Sequence, residues 1–183
     1  MATKRTFTEL YGTVANTRSS NEISASLIQD LIYSLAEQLD PENRVVDVTT
    51  STLTITPTDH DDKLITLNRA AGIAITLPAA TGSGARYEFF VGTTVTSNNI
   101  VISVADGTDT FKGNVFAAAD GGDTVVGFET ASDSDTITLN GTTKGGVIGD
   151  RIILVDVAAN LWSVVGIFSA TGSEATPFSA AVS

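Results

Sequence analysis

Beyond residue 45 the chain is a succession of short segments rich in Val, Ile and Thr, separated by clusters of Gly, Asp, Asn and Ser. β-Branched side chains favour strands, whereas Gly, Asn and Asp favour tight turns. Apolar and polar residues alternate clearly in segments 53–56 and 100–104, as in a strand with one buried face. The pattern predicts ten strands, at 45–48, 52–56, 64–67, 73–77, 87–91, 100–104, 124–128, 136–139, 151–155 and 161–168.

These strands predict the fold class. Many short strands with a turn signal roughly every 8–12 residues are typical of a β-sandwich or barrel, and not of alternating strands and helices. We therefore expect a mainly β protein with an antiparallel β-sandwich or barrel-like domain over residues 45–183. An extended N-terminal arm (1–18) and one amphipathic α-helix (19–40) precede this domain. A chain of 183 residues is long enough for one such domain with its own hydrophobic core.

One helix with a clear period is predicted between residues 19 and 40. Ser19 and Glu22 have the spacing of a capping box, and Pro41 ends the helix because the residue before a proline avoids the helical conformation. A lone helix of this length is marginal in water, so its apolar stripe must be buried, either on the chain's own sheet or on copies of itself about a symmetry axis. The stripe repeats about every 3.6 residues. It consists of Ile23, Leu27, Ile28, Leu31, Ile32, Leu35 and Leu39.

Residues 1–18 are polar and rich in threonine, and they show no helical or strand period long enough to fold alone. We expect either a frayed terminus or an arm that becomes ordered only against a partner. In the second case, basic side chains would contact acidic patches of the partner and aromatic side chains would be apolar anchors. These contact residues are Lys4, Arg5, Phe7, Tyr11 and Arg18.

The residue counts argue against several classes of function. Ten Lys and Arg against 21 Asp and Glu give a net charge of −11, whereas phosphate contacts need clustered cations, so we expect no nucleic-acid partner. The chain has no cysteine and therefore no disulfide, thiol nucleophile or thiolate metal site. No apolar run approaches the roughly 18 residues that span a bilayer, so we expect no membrane partner.

Catalytic and metal chemistry have few candidate residues. His60, the one histidine, lies among three aspartates in a predicted solvated turn, and no Gly-x-Ser-x-Gly elbow is present, so we expect no nucleophilic triad. Asp-rich clusters at 59–62, 106–109, 120–123 and 133–135 lack the spacing of a calcium loop and are predicted to be turns, with a calcium site as the alternative. We expect no enzyme activity, cofactor or metal. A sugar-cleaving pair of carboxylates from distant strands is the alternative.

Trp162 has two interpretations. It lies in segment 161–165, where alternation places it on the side of the strand opposite Leu161. A tryptophan in such a strand is either a cap of the hydrophobic core or a platform on which a ligand ring stacks. The second interpretation would suit a protein that binds a glycan or a receptor.

An Ile-Thr-Leu motif occurs three times, at 65–67, 75–77 and 137–139, and Asn or Pro follows each copy. The spacings of 10 and 62 residues are too unequal for a solenoid period. We interpret the motif as one hairpin used three times. In each copy, two inward apolar residues would flank an outward threonine before a turn.

Two stretches resemble a module of tailed-bacteriophage structural proteins. The first, residues 64–87, is LITLNRAAGIAITLPAATGSGARY and leads into the aromatic strand YEFFV. The second combines GDRIILVD at 149–156 with LWSV at 161–164 and resembles the closing hairpin of the same module. The resemblance covers roughly residues 60–170 and is more specific for virion proteins than for one part of the virion.

Together with the predicted arm, the small size of the chain and the lack of enzyme chemistry, the resemblance favours a capsid decoration, or cement, protein, and the resemblance brings no catalytic residues. Such a protein binds the outer capsid surface of the virion as a homo-oligomer, expected here to be a homotrimer, and stabilises the lattice. Its partners would be the major capsid protein and further copies of itself. The alternative is a receptor- or glycan-binding tip module of a tail or head fibre.

Overall fold

The computed structural model describes residues 25–39, 44–120 and 124–182. The chain divides into two compact units, with the boundary between Arg44 and Val45. The described part of the first unit is dominated by helix α1 (Ala25–Leu39), a segment rich in the strong helix formers Ala, Leu, Gln and Glu. The predicted arm and the predicted capping box lie outside the described residues.

The second unit is mainly β. Its described residues, 45–120 and 124–182, contain twelve strands and one four-residue helix, α2 (Pro57–His60). Ten of the strands coincide with the ten predicted ones, and their ends differ from the prediction by three residues at most. The strands are β1 (Val45–Val48), β2 (Thr52–Thr54), β3 (Lys63–Leu67), β4 (Ile73–Thr76), β5 (Arg86–Val91), β6 (Ile100–Ser103), β7 (Thr110–Ala119), β8 (Thr124–Glu129), β9 (Thr136–Leu139), β10 (Arg151–Ala158), β11 (Leu161–Ala170) and β12 (Phe178–Ser179).

The twelve strands form two sheets. The seven-stranded sheet, which we call sheet A, has the order β1-β3-β5-β10-β11-β7-β8, and the five-stranded sheet B has the order β12-β9-β6-β4-β2. The first six strands alternate between the sheets along the chain. β1, β3 and β5 pair in parallel in sheet A, and β2, β4 and β6 pair in parallel in sheet B. We call residues 45–103 the alternating segment.

The prediction of antiparallel sheets is wrong for this segment, because both sheets are mixed. Besides the alternating segment, β7 and β11 pair in parallel over ten residues. The pairs β5–β10, β10–β11, β7–β8, β6–β9 and β9–β12 are antiparallel. The physical reason lies in the connections. Parallel neighbours need a crossover of about a dozen residues or more, and residues 49–62 supply one between β1 and β3 by passing through β2 in the other sheet.

The Ile-Thr-Leu motif has the predicted inward and outward side chains but does not form hairpins. Ile65 and Leu67 are fully buried on either side of the half-buried Thr66, and Ile75 and Leu77 are buried in the next copy. The first copy lies in β3 of sheet A and the second in β4 of sheet B, so the two copies do not pair with each other.

One hydrophobic core contains side chains from both sheets. Full burial of an aliphatic or aromatic side chain stabilises a protein by roughly 1.5–3 kcal/mol, so this core accounts for most of the favourable free energy of the second unit. Its largest side chains from sheet A are Trp162, Tyr87, Phe89 and Phe111. Sheet B contributes Ile73, Ile75, Ile100, Ile102, Ile137 and Leu139.

Candidate functional site

Helix α1 exposes apolar side chains to solvent. Ile28, Ile32 and Leu35 are 47%, 59% and 46% exposed, and their spacing of four and three residues places them on one face of the helix. We call these three residues the helix strip. Amphipathic helices bury such a strip against another element. An exposed strip of this kind is therefore a candidate contact surface.

The side of α1 that is buried does not coincide with the centre of the predicted apolar stripe. Ser34 is buried and Leu31 is half-buried, whereas the helix strip is exposed. The prediction that the stripe packs on the chain's own sheet or on copies of itself stays a prediction, and the side chains of Ile28, Ile32 and Leu35 are largely exposed. Of the other stripe residues, Leu27 and Leu39 belong to α1 and Ile23 lies outside the described residues.

A second apolar surface lies on the outward face of sheet A. Phe116 of β7, Val125 of β8, and Val165 and Ile167 of β11 are between 47% and 69% exposed. Ile167 is the register neighbour of Phe116, and Val125 lies opposite Ala118, two residues further along β7. We call Phe116, Val125, Val165 and Ile167 the outer patch. Clustered apolar side chains on an exposed sheet face make it a candidate docking surface.

Charged side chains border the outer patch. Glu88 accepts hydrogen bonds from Arg86 at 2.7 Å and from Arg151 at 2.6 Å. Arg151 lies over the ring of Phe90, 5.2 Å from its centroid, and is the register neighbour of Ile167. Partly exposed ion pairs of this kind contribute little to folding stability. They do give the apolar surface a polar rim, as in protein–protein interfaces.

Trp162 is fully buried, so its interpretation as a ligand platform is wrong. Its ring centroid lies 5.7 Å from that of Tyr87, with the two rings tilted by 40°. Its register neighbours are Phe111 in β7 and Asp156 in β10. An indole enclosed by the core cannot stack on a ligand that arrives from solvent, so Trp162 is a core residue.

Asp156 anchors the loop that joins β4 to β5. Its carboxylate, on β10, accepts hydrogen bonds from the backbone N–H groups of Thr81, Gly82 and Ser83 and from the hydroxyls of Thr81 and Ser83, at 2.7–3.1 Å. Burial alone would raise the pKa of Asp156, but the hydrogen bonds outweigh it and lower the pKa to about 2. The backbone N–H groups of Thr81, Gly82 and Ser83 thus resemble an anion-binding nest, and the anion that they bind is the carboxylate of Asp156.

Three more buried aspartates brace the backbone in the same way. Asp150 accepts backbone hydrogen bonds from Gly146, Val147 and Ser169. Its pKa is raised because burial outweighs these bonds. Asp109 accepts one from Ala80, and Asp135 accepts one from Ala181 and one from Val182. Each of these buried carboxylates is thus satisfied by hydrogen bonds from the backbone.

His60 and the Asp-rich clusters are the next candidate ligands. Within residues 25–39, 44–120 and 124–182, no group of three His, Asp or Glu side chains could hold a metal ion. His60 is buried at the end of α2 and not solvated as predicted, because its ring packs back on the helix, where Nδ1 lies 3.1 Å from the backbone nitrogen of Thr56. Among the described helices, none is long and apolar enough to cross a membrane.

We expect Tyr87→Phe to stabilise the protein. The Tyr87 hydroxyl is buried and has no hydrogen-bond partner among the described residues. Its removal should raise the free energy of unfolding by about 1 kcal/mol at pH 7. Burial first, and then the charges of Asp61 and Asp156, raise the pKa of Tyr87 to about 12. A raised pKa in the folded state means that stability is lost as the pH rises above about 10.

The advantage of Tyr87→Phe over the natural chain should therefore widen by about 1 kcal/mol at pH 11. Urea unfolding at both pH values measures the two effects. Tyr33→Phe is the matched control, because the Tyr33 side chain is 52% exposed, and its substitution should change neither value. A less stable Tyr87→Phe variant would show that the hydroxyl is satisfied in solution.

The predicted site residues thus divide into three groups. The described chain exposes three stripe residues of α1, encloses Trp162 in the core, and does not include the arm residues. Sequence patterns did not predict the outer patch, although adjacent apolar pairs in β11 were a signal for it. No family model, curated protein or solved structure matches this chain. The arm residues outside the described range are Lys4, Arg5, Phe7, Tyr11 and Arg18.

Proposed function

We propose that this chain is a non-enzymatic decoration, or cement, protein of a tailed bacteriophage. It binds the outer capsid surface as a homotrimer and stabilises the capsid lattice. The observation that carries the proposal is a combination of two features. The helix strip and the outer patch are exposed apolar surfaces, and the buried carboxylates accept hydrogen bonds from the backbone. Such a molecule offers surfaces for protein contacts, whereas its candidate acids are occupied.

Cementing needs no chemistry. A protein that binds the assembled lattice, and not its separated subunits, stabilises the lattice by mass action. At a free concentration one hundred times Kd, the gain is about 2.7 kcal/mol per site. Repeated over many sites, a modest affinity is enough to protect a capsid against heat or internal pressure.

Each part of the chain has a role in this proposal. The arm, residues 1–18, contacts the major capsid protein through the basic and aromatic side chains identified above. Residues 45–183 form a β-sandwich, with sheets A and B facing each other across the shared core. Helix α1 and sheet A build the homotrimer. The alternative, a receptor- or glycan-binding fibre tip, predicts an exposed aromatic and acidic groove, and Trp162 is buried and does not contribute to one.

The proposal is tested by cosedimentation of the purified protein with heads of the phage whose genome encodes it. We expect saturable binding and a higher melting temperature of the heads. A chain lacking residues 1–18 should remain a trimer and bind at least ten-fold more weakly. Binding to tail fibres or host cells instead of heads would contradict the proposal, as would release of reducing sugar from a polysaccharide.

A further inference from the structure

We infer that Asn140 is a modification site that the fold protects: its side chain deamidates only after the turn around it opens, and isoaspartate formed there prevents refolding. Asparagine is a thermally labile residue. Asn140 and Gly141 form the one Asn-Gly pair in the chain. Because glycine has no side chain to shield its nitrogen and has a freely adjustable backbone, an asparagine before glycine is the most reactive kind. This chemistry is independent of capsid binding.

Deamidation proceeds through a cyclic succinimide. The backbone nitrogen of Gly141 attacks Cγ of Asn140, the bond from Cγ to Nδ2 breaks, and Nδ2 leaves as ammonia that takes up the proton of the Gly141 nitrogen. One water molecule then opens the ring at either carbonyl, which gives aspartate or isoaspartate. The reaction therefore requires an unbound N–H at Gly141 that can approach the side-chain carbon.

The folded turn occupies the attacking nitrogen. The N–H of Gly141 donates a hydrogen bond to the carbonyl oxygen of Gly145 at 2.7 Å. Gly141 has a φ of +76°, and a Cβ atom there would clash with the carbonyl oxygen of Val95. On another side, a Cβ atom at Gly146 would lie 2.8 Å from the nitrogen of Gly141. The nitrogen cannot turn towards Cγ without breaking its hydrogen bond and displacing these neighbours.

The side-chain amide of Asn140 is held at both of its polar atoms. Oδ1 accepts hydrogen bonds from the backbone N–H groups of Thr142 and Lys144, both at 3.0 Å. Nδ2 donates to Oγ1 of Thr143 at 3.0 Å. The two donors at Oδ1 would stabilise negative charge there, as in an oxyanion hole, and this effect favours attack. Attack still needs the nitrogen that the turn holds, so we expect protection to outweigh it.

The turn is tied to the rest of the second unit. The carbonyl oxygen of Gly146 accepts a hydrogen bond from Val95 at 2.9 Å, and the N–H of Gly146 donates to the buried carboxylate of Asp150 at 2.7 Å. The carbonyl oxygen of Thr143 accepts from Ala175 at 2.9 Å. The turn opens only when such contacts break. Deamidation should therefore follow the population of chains in which this part is unfolded.

Isoaspartate at position 140 does not fit the turn. It lengthens the backbone by one carbon atom, so the hydrogen bond from Gly141 to Gly145 and the bonds at the position of Oδ1 cannot all form. Ordinary aspartate keeps the backbone unchanged. Its carboxylate accepts from the same two N–H groups, and the hydroxyl of Thr143 rotates to donate to the second oxygen. Modification to isoaspartate in the unfolded chain thus makes unfolding irreversible.

The test compares two Asn-Gly pairs in one full-length chain. Asp106→Asn creates the second pair, in an exposed turn where the carboxylate of Asp106 accepts a hydrogen bond from the N–H of Thr108 at 2.9 Å. Threonine follows the glycine in both pairs, so their intrinsic reactivities match. Among the described residues, the N–H of Gly107 donates no hydrogen bond. The variant is incubated in mildly alkaline buffer and in concentrated urea, and peptide mapping by mass spectrometry follows both pairs.

In buffer, we expect Asn140 to deamidate at least ten-fold more slowly than the pair created by Asp106→Asn. In urea, the two rates should agree. The natural chain gives the same comparison for Asn140 alone, with buffer against urea. Equal rates of the two pairs in buffer would overturn the inference. Faster deamidation of Asn140 in buffer than in urea would also overturn it, because the donors at Oδ1 would then act as an oxyanion hole.

Removal of the urea tests the second part. Chains with isoaspartate at position 140 should be missing from the folded fraction on gel filtration, whereas Asn140→Asp should refold with the yield of the natural chain. Isoaspartate in the folded fraction at its proportion in the whole sample would contradict the block to refolding. Failure of Asn140→Asp to refold would contradict the role given to the lengthened backbone.

Discussion

Asp156→Ala is expected to lower the free energy of unfolding by about 3 kcal/mol. Five donors on Thr81, Gly82 and Ser83 lose their shared acceptor, and the side chain that they enclosed leaves a void. Urea unfolding followed by the fluorescence of Trp162, the one tryptophan, measures the loss. Asp106→Ala is the matched control, because Asp106 is exposed and its carboxylate accepts hydrogen bonds within its own turn, from the backbone and hydroxyl of Thr108.

Acid unfolding gives an independent reading of the same carboxylate. The pKa of Asp156 is about 2 in the folded protein, below its ordinary value of 3.8, so its contribution is present above pH 4 and lost as the pH falls towards 2. Asp156→Ala should therefore lose less stability than the natural chain between pH 4 and pH 2. The pKa of Asp150 is raised in the folded state, so acidification favours the folded state through this group, and it does so equally in the natural chain and in Asp156→Ala. Equal acid sensitivity of the two proteins would contradict the role assigned to Asp156.

Gly113→Ala is expected to cost at least about 3 kcal/mol, or to prevent folding. A Cβ atom at Gly113 would lie 1.9 Å from the carbonyl oxygen of Val164 on the neighbouring β11, and φ at Gly113 is +151°, a conformation that L-residues rarely adopt. The paired strands β7 and β11 must separate to admit the methyl group. Thermal unfolding followed by circular dichroism measures the loss.

Gly127→Ala is the matched control for Gly113→Ala. Gly127 lies on β8, beside β7, and a Cβ atom there would meet only the side chain of Phe116, at 3.4 Å. Its melting temperature should stay within a few degrees of the natural value. If Gly113→Ala also leaves the melting temperature unchanged, β7 and β11 do not approach as closely as described.

Strand positions could be predicted from the sequence because alternation and turn chemistry are local properties. The pairing of strands could not, because a turn residue bends the chain without specifying which sheet the next strand joins. The Ile-Thr-Leu copies in β3 and β4 show this difference: their inward side chains follow from the motif, but their separation into two sheets does not. Pairing depends on contacts between residues far apart in sequence.

Strand β7 escaped prediction because Lys112, Gly113 and Asn114 interrupt its apolar residues. The local sequence of β7 lacks a clear strand pattern. Its hydrogen bonds to the neighbouring strands β11 and β8 hold it in the sheet. The exposed outer patch was hidden for a related reason. β11 is apolar on both faces at Val164 and Val165, which a sequence pattern cannot distinguish from a strand buried on both sides.

The helix strip was partly predictable. Its period identified the apolar residues of α1, and the alternatives for what covers them included further copies of the chain. The aspartate braces were not predictable, because the carboxylate of Asp156 bonds to donors 73–75 residues away in the chain. A turn-forming residue type does not indicate which distant loop it will hold.

The alternating segment has a consequence for how the size of this protein can vary. Its first two strands, β1 and β2, are the edge strands of sheets A and B. A tandem duplication of one pass through both sheets would add a strand to each edge and widen both sheets by about 4.8 Å. Every existing pair from β3 to β12 would keep its partner. Growth by internal duplication is therefore open to this architecture, in steps set by a single strand spacing.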